Sequence, residues 1–344
     1  MTKRLQPGSD ITVISPGFGP THGGVGVVAS QVMEALAERY QVSARDHDYR
    51  AGKLRRRTAL LGTTLHLALH ARQSFLFYCH IDVAQTQALL PPFAQSPYAL
   101  FLHGMEVWKP LGFPKRKTIE QAALLMANSA ETVRRTREFN PWLPPVRVVH
   151  LGVGEPLAVD TRSPRKPYAL IVGRMAENER MKGHDEILNA WTAIQAGVPA
   201  ARLLVAGSGD DRARLEGRVR QEQVPNVDFL GFISDEEKER LMRECAVFLF
   251  PSRQEGFGLA AVEAAAAGMA VVAFRGTVMQ ELFSENDGVT FADSADQKSL
   301  LATVVPLLGD PIESRRRGLV ASAHVRSRFL ERHFHARLLA ALHA

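Results

Sequence analysis

Glu255 and Glu263 stand eight positions apart on either side of a glycine loop, and that spacing sets what chemistry the chain can do. The stretch FPSRQEGFGLAAVEAAAAGMAVVAF, Phe250 to Phe274, leaves an apolar strand (Ala246 to Phe250, closed by Pro251 and Ser252) and passes Gly256 and Gly258. It then reads as a helix from Leu259 to Ala267, ending at Gly268. The two glycines permit backbone conformations closed to other residues and a close approach by a ligand. A helix starting there turns unpaired N–H groups and the positive end of its dipole toward the loop, which favours phosphate. One acid on the loop and one about two turns down the helix would hold two different hydroxyls of one extended ligand, as a sugar nucleotide presents them. The plainer reading has Glu263 capping an ordinary βα unit and Glu255 solvated.

A pair of cations adds to this picture. Ala169 to Val172 reads as a strand, followed by Gly173, Arg174 and, eight residues on, Lys182 and Gly183. Two cations after a strand, before a helix opening at Gly183-His184-Asp185, make a diphosphate site in which charge and helix terminus act together; a solvated pair is the alternative. Ser74 to Cys79 is another apolar run, and it ends at His80 and Asp82, on the edge where open α/β sheets place ligands.

The spacing EGFGLAAVE resembles the E-x7-E signature of retaining glycosyltransferases of family 4. Their fold is GT-B, an α/β architecture of two Rossmann-like domains with parallel sheets facing across a cleft, in which the C-terminal helix crosses back to the first domain. The resemblance covers nearly the whole chain and is strongest from 168 to 291. It implies that Glu255 meets the donor sugar and Glu263 the ribose. VGRMAENERMKGHDEIL resembles the longer variant of the family's phosphate motif, with Met181 where an aromatic is common, which makes Arg174 and Lys182 the phosphate ligands. FLHGMEVW resembles the family's strand ending in a His-Gly pair, so His103 would touch the sugar or the acceptor. Together His103, Arg174, Lys182 and Glu255 form the implied catalytic set.

The donor nucleotide would be held by further residues that the resemblance implies. GGVG, with Gly23 and Gly24, is similar to the first loop, which closes on the donor diphosphate or the acceptor. Gly207 belongs to the loop near the nucleobase, and Gly231, Phe232 and Ile233, in VDFLGF and its continuation, would stack on and hydrogen-bond the base. The N–H groups at Phe257, Gly258 and Leu259 would face the diphosphate. His80 and Asp82 are assigned to the acceptor side. Transfer in this family is drawn as a front-face substitution without an enzymatic nucleophile, the leaving diphosphate helping to deprotonate the acceptor hydroxyl. Neither a cofactor nor a metal is expected. Two departures from the family pattern are Ala270, where proline is usual, and Gly276-Thr277-Val278, without a second glycine.

Competing motifs are weaker. Gly17, Gly19, Gly23, Gly24 and Gly26 do not fit G-x-G-x-x-G, although Asp46 stands about where a dinucleotide-binding acid belongs. Asp46-His47-Asp48 spells the D-x-D that holds a divalent metal in GT-A enzymes, but it comes too early in the chain and reads as a polar turn. Asp210-Asp211 reads as a helix cap, and Ser129 as a cap rather than a nucleophile. A nucleotide-sugar epimerase, a phosphorylase on the same fold and a binding module without turnover remain as other functions; a phosphorylase would need a pyridoxal lysine that is not identifiable here.

Positioning these residues takes two domains. A chain of 344 residues and 37.9 kDa suits two α/β units, placed at 1–155 (acceptor), 156–325 (donor) and 326–344 (the returning helix). An apolar share of 46% with 23% charged residues excludes disorder and fibrous repeats. Cys79 and Cys245 read as small buried hydrophobes of a reducing compartment. The basic start runs straight into Pro7 and Gly8 with no apolar signal segment, so a cytoplasmic protein is expected. Charge is uneven: residues 1–152 carry 18 Lys and Arg against 10 Asp and Glu, and the remainder 24 against 26. Lys53, Arg55, Arg56 and Arg57 before LLGTTLHLALHA would rest on an anionic membrane, fitting a sugar or lipid-linked sugar acceptor in polysaccharide or glycolipid assembly, or would be the solvated end of a buried helix. Aromatics, at 7%, do not interleave with the basic runs, which argues against nucleic acid.

Overall fold

The computed structural model describes residues 6, 8–47, 58, 62–63, 75–156, 165–294 and 296–343. The basic cluster Lys53, Arg55, Arg56 and Arg57, most of the run that follows it, and Asp48 lie outside them. Two compact units are present, Met1–Gly152 with Glu331–Ala344, and Val153–Leu330. The sequence places the cuts at 155, from linker composition, and at 325, from the resemblance.

The first unit is a sheet of six parallel strands in the order β2-β1-β3-β4-β5-β6: β1 Asp10–Ser15, β2 Gln41–Asp46, β3 Phe75–Tyr78, β4 Tyr98–Leu102, β5 Leu124–Ala127 and β6 Arg147–Val148. FLFY and YALFL are buried along their whole length, which is why the central strands of a parallel sheet read as unbroken apolar runs. The helices between strands are α1 Gly23–Ala37, α2 Ile81–Leu89, α3 Lys115–Glu120 and α4 Ala130–Phe139. Pro16 to Gly26 reads in the sequence as a glycine-rich loop feeding a helix from about Val27, but helix α1 already starts at Gly23. Pro20–His22 forms a 3-10 turn that runs straight into it, and Gly26 lies so close to the Gly19 carbonyl that a Cβ would sit 2.4 Å from that oxygen. The third glycine is therefore spent on close packing rather than on a free loop. Asp46 closes β2 and is not a turn residue.

The second unit orders its strands β12-β11-β10-β7-β8-β9: β7 Lys166–Val172, β8 Arg202–Ala206, β9 Val227–Gly231, β10 Cys245–Phe250, β11 Ala270–Phe274 and β12 Val289–Ala292. Its helices are α5 His184–Gly197, α6 Arg212–Gln221, α7 Asp235–Glu244, α8 Leu259–Ala266, α9 Met279–Leu282, α10 Gln297–Gly309 and α11 Pro311–Arg328. A core around Trp191, Val247 and Phe274 joins sheet and helices. Arg165 is buried and donates to the carbonyls of Met242, Cys245, Ala267 and Gly268, so one cation closes the C-terminal ends of α7 and α8 where their dipoles are negative. In an α/β sheet the ligand crevice opens at the carboxyl ends of the two strands where the order reverses, here β7 and β10.

Helix α12, Glu331–His343, belongs to the first unit. Its Phe334 is fully buried edge-on to Phe101, and His343 Nε2 lies 3.1 Å from Tyr40 Oη. Cys79 and Cys245 are buried and unbridged, as their apolar settings implied, and burial pushes both thiols up, Cys245 to about 12. Among the described residues no helix is long and apolar enough to cross a membrane.

Candidate functional site

The switch point of the second unit brings together residues far apart in sequence. Arg174 stands just beyond β7, Lys182 at the end of the 3-10 segment Glu177–Lys182, and Glu255 on the loop after β10. Lys182 Nζ is ion-paired with Glu255 Oε2. Loop geometry explains the close approach. Gly183 lies in the left-handed region at φ +83°, and a Cβ there would fall 2.0 Å from the Pro251 carbonyl oxygen. The backbone N–H of Arg253 donates to the Met181 carbonyl at 2.8 Å. Gly207 repeats the device one strand over, where a Cβ would lie 1.9 Å from the Gly173 oxygen.

Helix α8 begins next to Glu255. Gly258 is its N-cap, at φ 88° and with no capping side chain, and the amides of Leu259 and Ala260 have no partner among the described residues. The Phe257 ring is buried edge-on against Phe329, so only its main chain can face a ligand. Glu263, in the second turn of α8, is paired with Lys238 of α7 at 3.1 Å, and Lys238 also reaches Asp235 at 3.3 Å. Burial works against the Lys238 ammonium, but Glu263 and Asp235 outweigh it and raise its pKa. A cavity of about 170 Å³ opens beside this pair, lined by Lys238, Met242, Glu263 and Ala266 and by the segment 153–156.

At the end of β9, Gly231 is buried in the left-handed region (φ +74°), while beyond it Phe232 is 85% exposed and Ile233 half-buried. An aromatic face held out to solvent by a glycine turn is available for stacking. Ser234 caps α7, accepting from the Glu237 amide at 3.2 Å. The Asp210-Asp211 expectation fails. Asp211 occupies the N-cap of α6 with helical backbone angles and makes no capping bond; its carboxylate pairs instead with Arg214 at 2.7 Å and Arg180 at 3.2 Å. Asp210 accepts the Glu177 amide at 2.8 Å.

Two residues escaped sequence reasoning. Glu179 binds Arg174 through the Nε–Nη2 edge of the guanidinium, and Lys238 holds Glu263. An acid inside a basic motif, ENER between Arg174 and Lys182, is the signal for the first. DEEKER reads as a solvated helix face, so nothing in sequence marks Lys238.

In the first unit, His103 follows β4. Its Nε2 is 2.6 Å from the Cys79 carbonyl oxygen, which makes Nε2 the protonated nitrogen, and its amide donates to Glu106 Oε1 at 2.6 Å. Burial lowers the His103 pKa, with the Glu106 charge opposing, so the ring is neutral at pH 7. The ring lies nearly parallel to that of His80, centroids 6.2 Å apart. His80 caps α2 by accepting the Asp82 amide on Nδ1 at 3.1 Å, and Asp82 pairs with Lys115 at 2.5 Å. Gly23 and Gly24 are the exposed first two residues of α1. Ser129 caps α4, accepting the Thr132 amide at 3.0 Å.

Residues 158–321, a little under half of the chain, match the family model described as Glycosyl transferases group 1. The glycogen synthase of Mycobacterium tuberculosis is 30% identical over 217 residues, 61% of this chain and 51% of that protein. A GDP-mannose-dependent alpha-(1-6)-phosphatidylinositol dimannoside mannosyltransferase of the same species is 36% identical over 138 residues, 40% of this chain and 35% of that one. The chain thus spans about half the length, or less, of these curated relatives. Among solved structures, sucrose-phosphate synthase from Thermosynechococcus elongatus superposes with a TM-score of 0.77 at 21% identity, over 96% of this chain and 98% of that one. HepE of Anabaena, solved with UDP and glucose, gives 0.77 at 16% identity, over 97% and 99%. The architecture is the GT-B fold of two Rossmann-like domains.

Proposed function

We propose that this protein is a retaining glycosyltransferase of family 4 that moves a sugar from a nucleoside-diphosphate sugar to an acceptor hydroxyl without a metal. The observation that carries the reading is the convergence, in the second unit alone, of Arg174, Lys182, Glu255 and the open start of α8 at the β7/β10 switch point. A leaving diphosphate gains negative charge in the transition state, so two cations and unpaired amides there stabilise it more than the ground state. That is the service a metal would otherwise supply. Glu255 orients the transferred sugar. Lys182, which is ion-paired with Glu255, is shared with the diphosphate. Glu263 takes the ribose hydroxyls and Phe232 with Ile233 the base. His103, neutral and held by the Cys79 carbonyl, is assigned to the sugar or the acceptor by the family resemblance.

HepE was solved with UDP, and one relative is named for GDP-mannose, so UDP and GDP sugars are the first donors to try. The acceptor is a sugar or lipid-linked sugar in bacterial polysaccharide or glycolipid assembly. The basic excess of residues 1–152 supports work at the cytoplasmic face of an anionic membrane. The test of the donor site is a thermal-shift screen of UDP, GDP and ADP. A nucleotide at a hundred times its dissociation constant stabilises by about 2.7 kcal/mol, a shift of several degrees. The shift should vanish in Arg174→Ala/Lys182→Ala; no shift with any nucleotide sinks the reading.

A further inference from the structure

Arg174 and Glu179 make an unequal pair. The arginine side chain is 67% exposed, whereas that of Glu179 is only 10% exposed. Both carboxylate oxygens of Glu179 accept from one edge of the guanidinium, Nε at 3.0 Å and Nη2. Among the described residues neither side chain has another partner. An arginine carries five N–H groups, so the two on Nη1 and the second on Nη2 remain for a ligand, and one from each nitrogen forms an edge that matches a phosphate.

The turn bearing Glu179 is braced from two further loops. The Glu177 amide donates to Asp210 and Arg180 pairs with Asp211, both after β8. The Met181 carbonyl accepts from Arg253, and Gly183 presses on Pro251, both after β10. The segment 177–182 is non-helical at Glu179 itself (φ −123°, ψ 28°), the residue whose carboxylate meets Arg174. Lys182, at the end of the same turn, pairs with Glu255.

We infer that Glu179 is a positioning residue for diphosphate binding, acting through Arg174: it fixes one edge of an otherwise exposed guanidinium so that the other edge meets the phosphates already oriented. An exposed arginine samples many rotamers, and a ligand must freeze them; here a buried carboxylate has done so beforehand. The negative charge of Glu179 weakens the cation's field somewhat, but it sits on the far edge and is offset by the ordering. The inference rests on the donor-site reading.

Calorimetry with UDP, GDP and inorganic pyrophosphate on the wild type, Glu179→Gln, Arg174→Ala and the double variant tests it. Glu179→Gln should bind each diphosphate about tenfold more weakly, with no further loss when added to Arg174→Ala. Unchanged or tighter binding by Glu179→Gln overturns the inference, and so does a loss of equal size in the Arg174→Ala background, which a merely structural residue would give. Should Glu179→Gln not fold, Glu179→Asp replaces it, a retracted carboxylate expected to weaken pyrophosphate about threefold and overturning the idea if it does not. A wild type that takes pyrophosphate but no nucleotide removes the donor reading alone, since the four proteins still decide the inference on pyrophosphate. One that takes neither removes both.

Discussion

His184 opens α5 directly after Lys182 and Gly183, and its burial ties the stability of the second unit to pH. The residue is 7% exposed, faces Ile171, Leu188, Leu203 and Phe229, and its Nε2 has no hydrogen-bond partner among the described residues. Burial lowers its pKa to about 4; Lys182 and Arg214 act the same way, while Asp185 and Asp211 oppose. In the unfolded chain a histidine titrates near 6.5. As pH falls, the unfolded state therefore takes up its proton first. The stability tied to the neutral ring is fully present above about 6.5 and is lost progressively down to about 4, below which both states are protonated. Between pH 7 and pH 5 the loss is on the order of 2 kcal/mol. Urea unfolding read by Trp191 fluorescence, with Trp108 and Trp142 replaced by Phe, should show the wild type losing about 2 kcal/mol more than His184→Leu over this interval. Equal pH dependence in the two proteins would refute the buried neutral ring.

The two central carboxylates should fail differently. Glu255→Gln should lower kcat by about 10² or more with nucleotide affinity nearly kept, whereas Glu263→Gln loses a charge-assisted hydrogen bond and should bind the nucleoside diphosphate about tenfold to a hundredfold more weakly. Calorimetry showing the reverse pattern means the two roles are exchanged. Activity should persist in EDTA; abolition by EDTA with restoration by Mn²⁺ would defeat the two-cation account. Anionic liposomes should float the wild type at low salt but not the variant with Arg55, Arg56 and Arg57 changed to Ser, and a wild type that stays down would reject the membrane contact.

The sequence was most legible where burial is two-sided. CAVFLF, FLFY and YALFL leave only a strand as a reading of so short an apolar run between breakers, and the structure gives β10, β3 and β4 there. QVSARD, exposed along most of the edge strand β2, has no such run, and half of D-x-D was misread as a turn because of it. The start of α1 was misplaced because a glycine packed against a carbonyl and a glycine in a loop are the same letter. Arg174, Lys182 and Glu255 could be named from motif spacing. That they pair could not be read: Lys182 and Glu255 are 73 residues apart, and Lys238 and Glu263 are 25 apart on different helices. Asp211 looked like a cap, yet three arginines crowd the start of α5 and α6, and ion pairing with Arg214 and Arg180 outcompeted a capping bond.

The most direct test of the central claim is product analysis with labelled UDP-glucose and GDP-mannose, offered with free and lipid-linked saccharide acceptors, the new linkage being read by NMR. Label should move to an acceptor hydroxyl in the α configuration of the donor, and Lys182→Ala should abolish the transfer. A β-linked product would contradict retention. An epimerised nucleotide sugar, or tight donor binding with no transfer to any acceptor, would contradict the transferase itself.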